Sequence, residues 1–124
     1  LLYGYLYSVV DICSAEYIAC SLGVYPVNGE YILYKRVNRA GGTLVSCYDT
    51  SFEYKLNQYT EVLDYDDDKS VACGRGIHVS TPFYYEEGTV LIFVRVLVSD
   101  IITCQAGKLR CKAVTPLGII TEYK

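Results

Sequence analysis

Residues 89–99 read TVLIFVRVLVS, and this stretch decides the fold. Between Thr89 and Ser99 every residue except Arg95 is Val, Leu, Ile or Phe, so both parities of an extended chain are apolar. A run of this length and β-branched content predicts a strand buried on both faces. It is far too short for a bilayer span, and Arg95 breaks it. Upstream, GIHVS at 76–80 reads as a second strand, entered through the glycines of Cys73-Gly74-Arg75-Gly76. Only residues 81–88 separate the two, too few for a parallel crossover, so they pair antiparallel or are not neighbours. Within that connection Thr81 can cap a short helical turn, with Pro82 at its first position and an end near Gly88.

Working outward, EYILYKRVN at 30–38 predicts a strand, with TLVSCY at 43–48 as its hairpin partner across Arg39-Ala40-Gly41-Gly42. A third strand is expected around 51–56. Residues 108–115 give a late strand and 119–123 a further one. Residues 14–22 predict a short helix with Ser14 as N-cap and Gly23 as its stop. Residues 1–12 predict a strand with Tyr3, Tyr5 and Tyr7 on one face. No internal repeat or linker composition divides the chain. The expectation is therefore an α+β fold, a single domain over residues 1–124, dominated by a mainly antiparallel sheet with one or two short helices.

Composition narrows the function classes. The chain has 124 residues, Lys plus Arg 11 against Asp plus Glu 14, and a formal net charge of -3, which disfavours non-specific nucleic-acid binding. Residues 1–10 lack a basic n-region and are shorter than a bilayer span, so neither a leader nor a membrane segment is expected. A cytoplasmic setting follows. Cys13, Cys20, Cys47, Cys73, Cys104 and Cys111 form no CxxC pair and no zinc spacing, so free, buried thiols are expected over disulfides. The run Asp64-Tyr65-Asp66-Asp67-Asp68 is expected as a solvated loop, since a calcium loop needs a Gly turn and a closing Glu that it lacks. No metal or cofactor is expected.

Four groups can carry function. His78, the only histidine, shares strand parity with Ser80 and can meet a ligand hydroxyl or phosphate, or can instead tie down the 73–76 loop. Arg95 needs a carboxylate, a strand end or an anion, with Asp100 and Glu61 as candidate partners. Lys108, Arg110 and Lys112 alternate opposite Leu109, Cys111 and Ala113, either as a grip for an acidic partner or as the solvated face of a half-buried strand. The chain's 14 tyrosines, among them Tyr3, Tyr5, Tyr7, Tyr31, Tyr34, Tyr84 and Tyr85, pack well on sheets and also make rigid anchors for a protein partner or a second copy. The Gly-Arg-Gly run lacks the Lys-Ser or Lys-Thr of a phosphate loop and precedes a strand.

CGRGIHVS at 73–80, the later VLIFVRVLVSDII and the closing KLRCKAV together resemble a family of small domains from bacteriophages and bacteria with a C-G-x-G-[LI]-H-x-S core. Tyr34-Lys35-Arg36-Val37 is similar to the tyrosine-lysine strand that opens such domains, so the resemblance spans roughly residues 30–115. It implies a viral or mobile-element setting, host cytoplasm included, and no reaction. A fainter similarity is to the ADP-ribosyltransferase and RNA phosphotransferase group, in which Arg36, His78 and Ser80 would flank a nicotinamide pocket; Glu86, Glu87 and Glu122 give no convincing catalytic glutamate. Two classes of function are thus expected. The first is a non-enzymatic phage-type accessory protein that binds a host protein or a small nucleotide-like ligand and blunts host defence, or a virion or assembly component. The second is a small transferase or nucleotide-processing enzyme with a cleft at Arg36, His78 and Arg95.

Overall fold

In the computed structural model, which describes residues 11–84 and 86–123, the apolar run becomes the central strand of a six-stranded antiparallel sheet. The elements in chain order are α1 (Ala15–Leu22), β1 (Glu30–Ala40), β2 (Thr43–Val45), β3 (Glu53–Tyr54), β4 (Thr60–Glu61), β5 (Ile77–Val79), β6 (Val90–Leu97), a 3₁₀ turn (Val98–Asp100), β7 (Ile101–Gln105), β8 (Lys108–Cys111) and β9 (Ala113–Glu122). The large sheet runs β3-β2-β1-β6-β9-β4, and a second, three-stranded sheet runs β5-β8-β7. β5 and β6 therefore do not neighbour each other. Among the described residues the protein is mostly antiparallel sheet with one helix, and no helix there is long and apolar enough to cross a membrane.

Register explains the core. Tyr31, Leu33, Lys35 and Val37 of β1 lie opposite Val96, Val94, Ile92 and Val90 of β6, and these eight side chains share the inner face. Ile18 and Leu22 of α1 join them, as do Ile77 and Val79 of β5 and Leu109 and Cys111 of β8, in one buried cluster. The helix begins where Ser14 Oγ accepts the Tyr17 N–H at 3.1 Å and stops at Gly23, whose φ of 73° is left-handed. The two sheets meet edgewise. Tyr34 and Ser80 exchange backbone hydrogen bonds of 2.8 and 2.9 Å, the only bridge recorded between them among the described residues.

Several expectations are corrected. β6 is buried on both faces only over Val90, Leu91 and Ile92; beyond them burial alternates, because the outer face around Phe93 and Arg95 has no covering layer among the described residues. Residues 81–84 make a turn, with Tyr84 N–H on Thr81 O at 3.2 Å, and no helix. Residues 108–123 form two strands divided at Lys112 rather than at 116–118. β7 was not expected. It pairs with β8 through Ala106 and Gly107, which both take positive φ in a tight two-residue turn. All six cysteines are free, yet only Cys104 and Cys111 are buried. The strand expected at residues 1–12, with Tyr3, Tyr5 and Tyr7, lies outside the described residues except at its end, where Asp11 and Ile12 lead into a turn.

Candidate functional site

A cleft opens where the edge of the large sheet meets the small one. Its smaller part, about 280 Å³, is lined by Lys35, His78, Ser80, Tyr84, Glu86 and Lys108 among others. Its larger part, about 770 Å³, continues past Tyr48, Phe52, Tyr54, Leu63 and the 73–76 loop. Lys35, Tyr48, His78 and Lys108 line both parts, so these four form the neck of one site.

Each neck residue is placed by strand parity. Lys35 stands in the row of core residues on β1 and is almost wholly buried, but its long stem carries the ammonium to the cleft. There Nζ donates to His78 O at 2.9 Å and to Glu86 Oε1 at 3.2 Å. His78 projects from β5 between the buried Ile77 and Val79, directly across from Arg110 of β8. Its parity with Ser80 holds, since both line the smaller cavity. Ser80 is buried and its hydroxyl donates to Gly107 O, so it is not poised as a nucleophile toward His78. Lys108 Nζ reaches Cys73 Sγ at 3.3 Å and has no ion-pair partner among the described residues.

The basic row is the largest departure from expectation. Lys108, Arg110 and Lys112 do not form an open face, because residues 64–76 fold over it. Arg110 is 1% exposed and is the largest fully buried side chain. Its guanidinium donates to Val71 O at 2.8 Å and Asp68 O at 2.6 Å and lies beneath Gly74, while its stem runs beneath Gly76. The loop is therefore tied down by Arg110, not by His78. Lys112 lies over the Tyr65 ring at 5.2 Å. Only Lys108 is left facing the cleft.

Arg36 and Arg95 do not join His78. Lying on β1 next to Lys35, Arg36 has the opposite parity and sits over the Tyr123 ring at 5.5 Å on the outer face. Arg95 is on that face too, half-exposed, with Glu30 Oε1 at 4.0 Å as its partner in place of Asp100 or Glu61. Asp100 instead accepts the Tyr59 hydroxyl at 2.9 Å. The three-residue pocket expected from sequence is not assembled. Lys35 and Tyr48 are the neck residues that sequence reasoning missed. A cation in the inward row Tyr31, Leu33, Lys35, Val37 was the available signal for the first.

Electrostatically the neck is positive. Burial, then the charges of Lys108, Lys35 and Arg110, push His78 down from its usual value near 6.5 to about 4, so the imidazole is neutral at pH 7. His78 Nε2 is nevertheless buried with no hydrogen-bond partner among the described residues. Because the unfolded chain takes up this proton near pH 6.5 and the native state only near pH 4, the contribution is harmless above 6.5 and is lost as pH falls between those values. The full shift corresponds to ~3 kcal/mol, which partial exposure of the ring reduces to about 2. Denaturant titrations at pH 7 and pH 4 should therefore show wild type losing about 2 kcal/mol more than His78→Asn. An imidazole found by NMR to titrate near 6.5 would refute this environment. Among the described residues no His, Cys, Asp or Glu cluster could hold a metal ion.

Comparisons with family models, with curated proteins and with solved structures find no significant match.

Proposed function

We propose that this chain is a small non-enzymatic accessory protein whose cleft at Lys35, His78 and Lys108 binds a small ligand. The observation that carries this reading is binding capacity at the neck where two cavities join: among the described residues, a buried imidazole nitrogen of His78 has no hydrogen-bond partner and the Lys108 ammonium has no acidic partner. Buried polar groups are ordinarily satisfied, and convergent unsatisfied ones in a concave site are what a ligand completes. A transferase reading loses support from the placement of Arg36 and Arg95 on the outer face and from the engagement of the Ser80 hydroxyl. On the resemblance of residues 30–115, the setting is that of a viral or mobile-element protein acting in the host cytoplasm.

An NMR titration with a set of small anionic and neutral aromatic fragments tests the site. Binders should move the His78 ring signals together with the amides of Gly74, Gly76 and Tyr48. If millimolar fragments bind only elsewhere, or nowhere, the cleft is not a ligand site.

A further inference from the structure

We infer that the ligand of this cleft is a nucleoside monophosphate: one phosphate at Lys108 and His78, a flat ring on Tyr48 and Phe52, and sugar hydroxyls toward the acidic rim. This inference rests on the cleft being a ligand site and adds the chemical class.

The head group follows from counting available cations. Of the cations lining the cleft, Lys35 is held by Glu86 at 3.2 Å and Arg75 by Asp64 at 2.7 Å, which leaves Lys108. One ammonium with an adjoining imidazole that can donate a hydrogen bond suits one phosphate. It does not suit a polyphosphate chain or a nucleic-acid strand, each of which needs several cations.

The ring follows from the wider part. Tyr48 is 82% exposed where the two cavities join, and Phe52 is half-buried, edge-on to Tyr54 with centroids 5.2 Å apart. Exposed aromatic faces beside a cationic neck stack bases at about 1–3 kcal/mol per base. A volume of about 770 Å³ falls within the usual range of small-molecule sites.

The rim sets the ligand's direction. Asp49 and Glu61 line the wide part and not the smaller one, with Asp64 beside them held by Arg75. Ionised carboxylates accept hydrogen bonds from hydroxyls and repel a second anionic group. The molecule therefore carries its charge at one end and its hydroxyls at the other.

The test is calorimetry and NMR with adenosine monophosphate, adenosine and inorganic phosphate, on wild type, Lys108→Gln and Tyr48→Ala. Adenosine monophosphate should bind at least about tenfold more tightly than adenosine, and Lys108→Gln should remove that difference. Tyr48→Ala should weaken adenosine and its monophosphate alike. Equal binding of adenosine and its monophosphate to wild type overturns the phosphate assignment, as does failure of all three probes when other fragments still occupy the cleft. Failure of the fragments and the three probes together overturns the ligand site itself. A native amide spectrum for each variant keeps these outcomes separate from misfolding.

Discussion

Replacing Arg110 with alanine should cost the fold about 3–5 kcal/mol and free residues 64–76 from the small sheet. Two terms add. The guanidinium's bonds to Val71 O and Asp68 O are lost, each charge-assisted, and the side chain that fills the space beneath Gly74 and Gly76 is removed. The contact is also selective for glycine. A Cβ on Gly74 would run into Arg110 Nη1 and lie 2.9 Å from both its Cζ and Asp66 Oδ2, and one on Gly76 would lie 2.8 Å from Arg110 Cγ. Gly74→Ala should therefore destabilise wild type by about 1–3 kcal/mol and do markedly less harm in the Arg110→Ala background. Urea denaturation of the four proteins measures this coupling. Additive costs would mean that Arg110 and the loop do not press on each other. Arg110→Met, which keeps the stem, supplies a folded comparison if alanine proves too severe.

Lys35→Ala should be nearly as damaging, at about 3 kcal/mol, because it strands Glu86, 14% exposed, without its cation and leaves His78 O without its donor. The cost lies in isolating a charge rather than in losing an attraction. Lys35→Met combined with Glu86→Gln should thus recover most of the stability, and raising the salt to 1 M should change the wild-type value little. Both are read from denaturant midpoints at constant slope. The same single variant removes one of the charges that depress His78, so the imidazole should titrate above its wild-type value of about 4. A double variant as unstable as Lys35→Ala would show that the cost lies in the lost bond to His78 O and not in an isolated Glu86 carboxylate.

What was legible in the sequence was local. Ser14 and Gly23 bound their helix because cap chemistry depends on a few adjacent backbone groups. β1 and β6 announce themselves through side-chain type and parity. The short strands were harder. β4 is two residues long and exists because Glu61 lies opposite Ala113, a partner more than fifty positions away. The same limit applied to the site. Parity placed His78 and Ser80 together and ordered Lys108, Arg110 and Lys112 in a row, but nothing nearby in the chain indicates that residues 64–76 fold across that row. Arg36 and Arg95 were misplaced for the opposite reason: their charge suggested a pocket, while their register puts them on the far side of the sheet from His78.

The junction of the two sheets carries a mechanical consequence. β1 is zipped to β6 along eight consecutive residue pairs, whereas among the described residues β1 is hydrogen-bonded to the small sheet by the Tyr34–Ser80 exchange and the Lys35 bond to His78 O, the shared core of Ile77, Val79, Leu109 and Cys111 holding the rest. That seam is narrow in hydrogen bonds, and the cleft lies beside it. A molecule seated against His78 on one leaf and Lys35 and Tyr48 on the other would act as a rivet. It would reinforce the two backbone bonds of that seam, and the slowed exchange of the Tyr34 and Ser80 amides would gauge how firmly it holds.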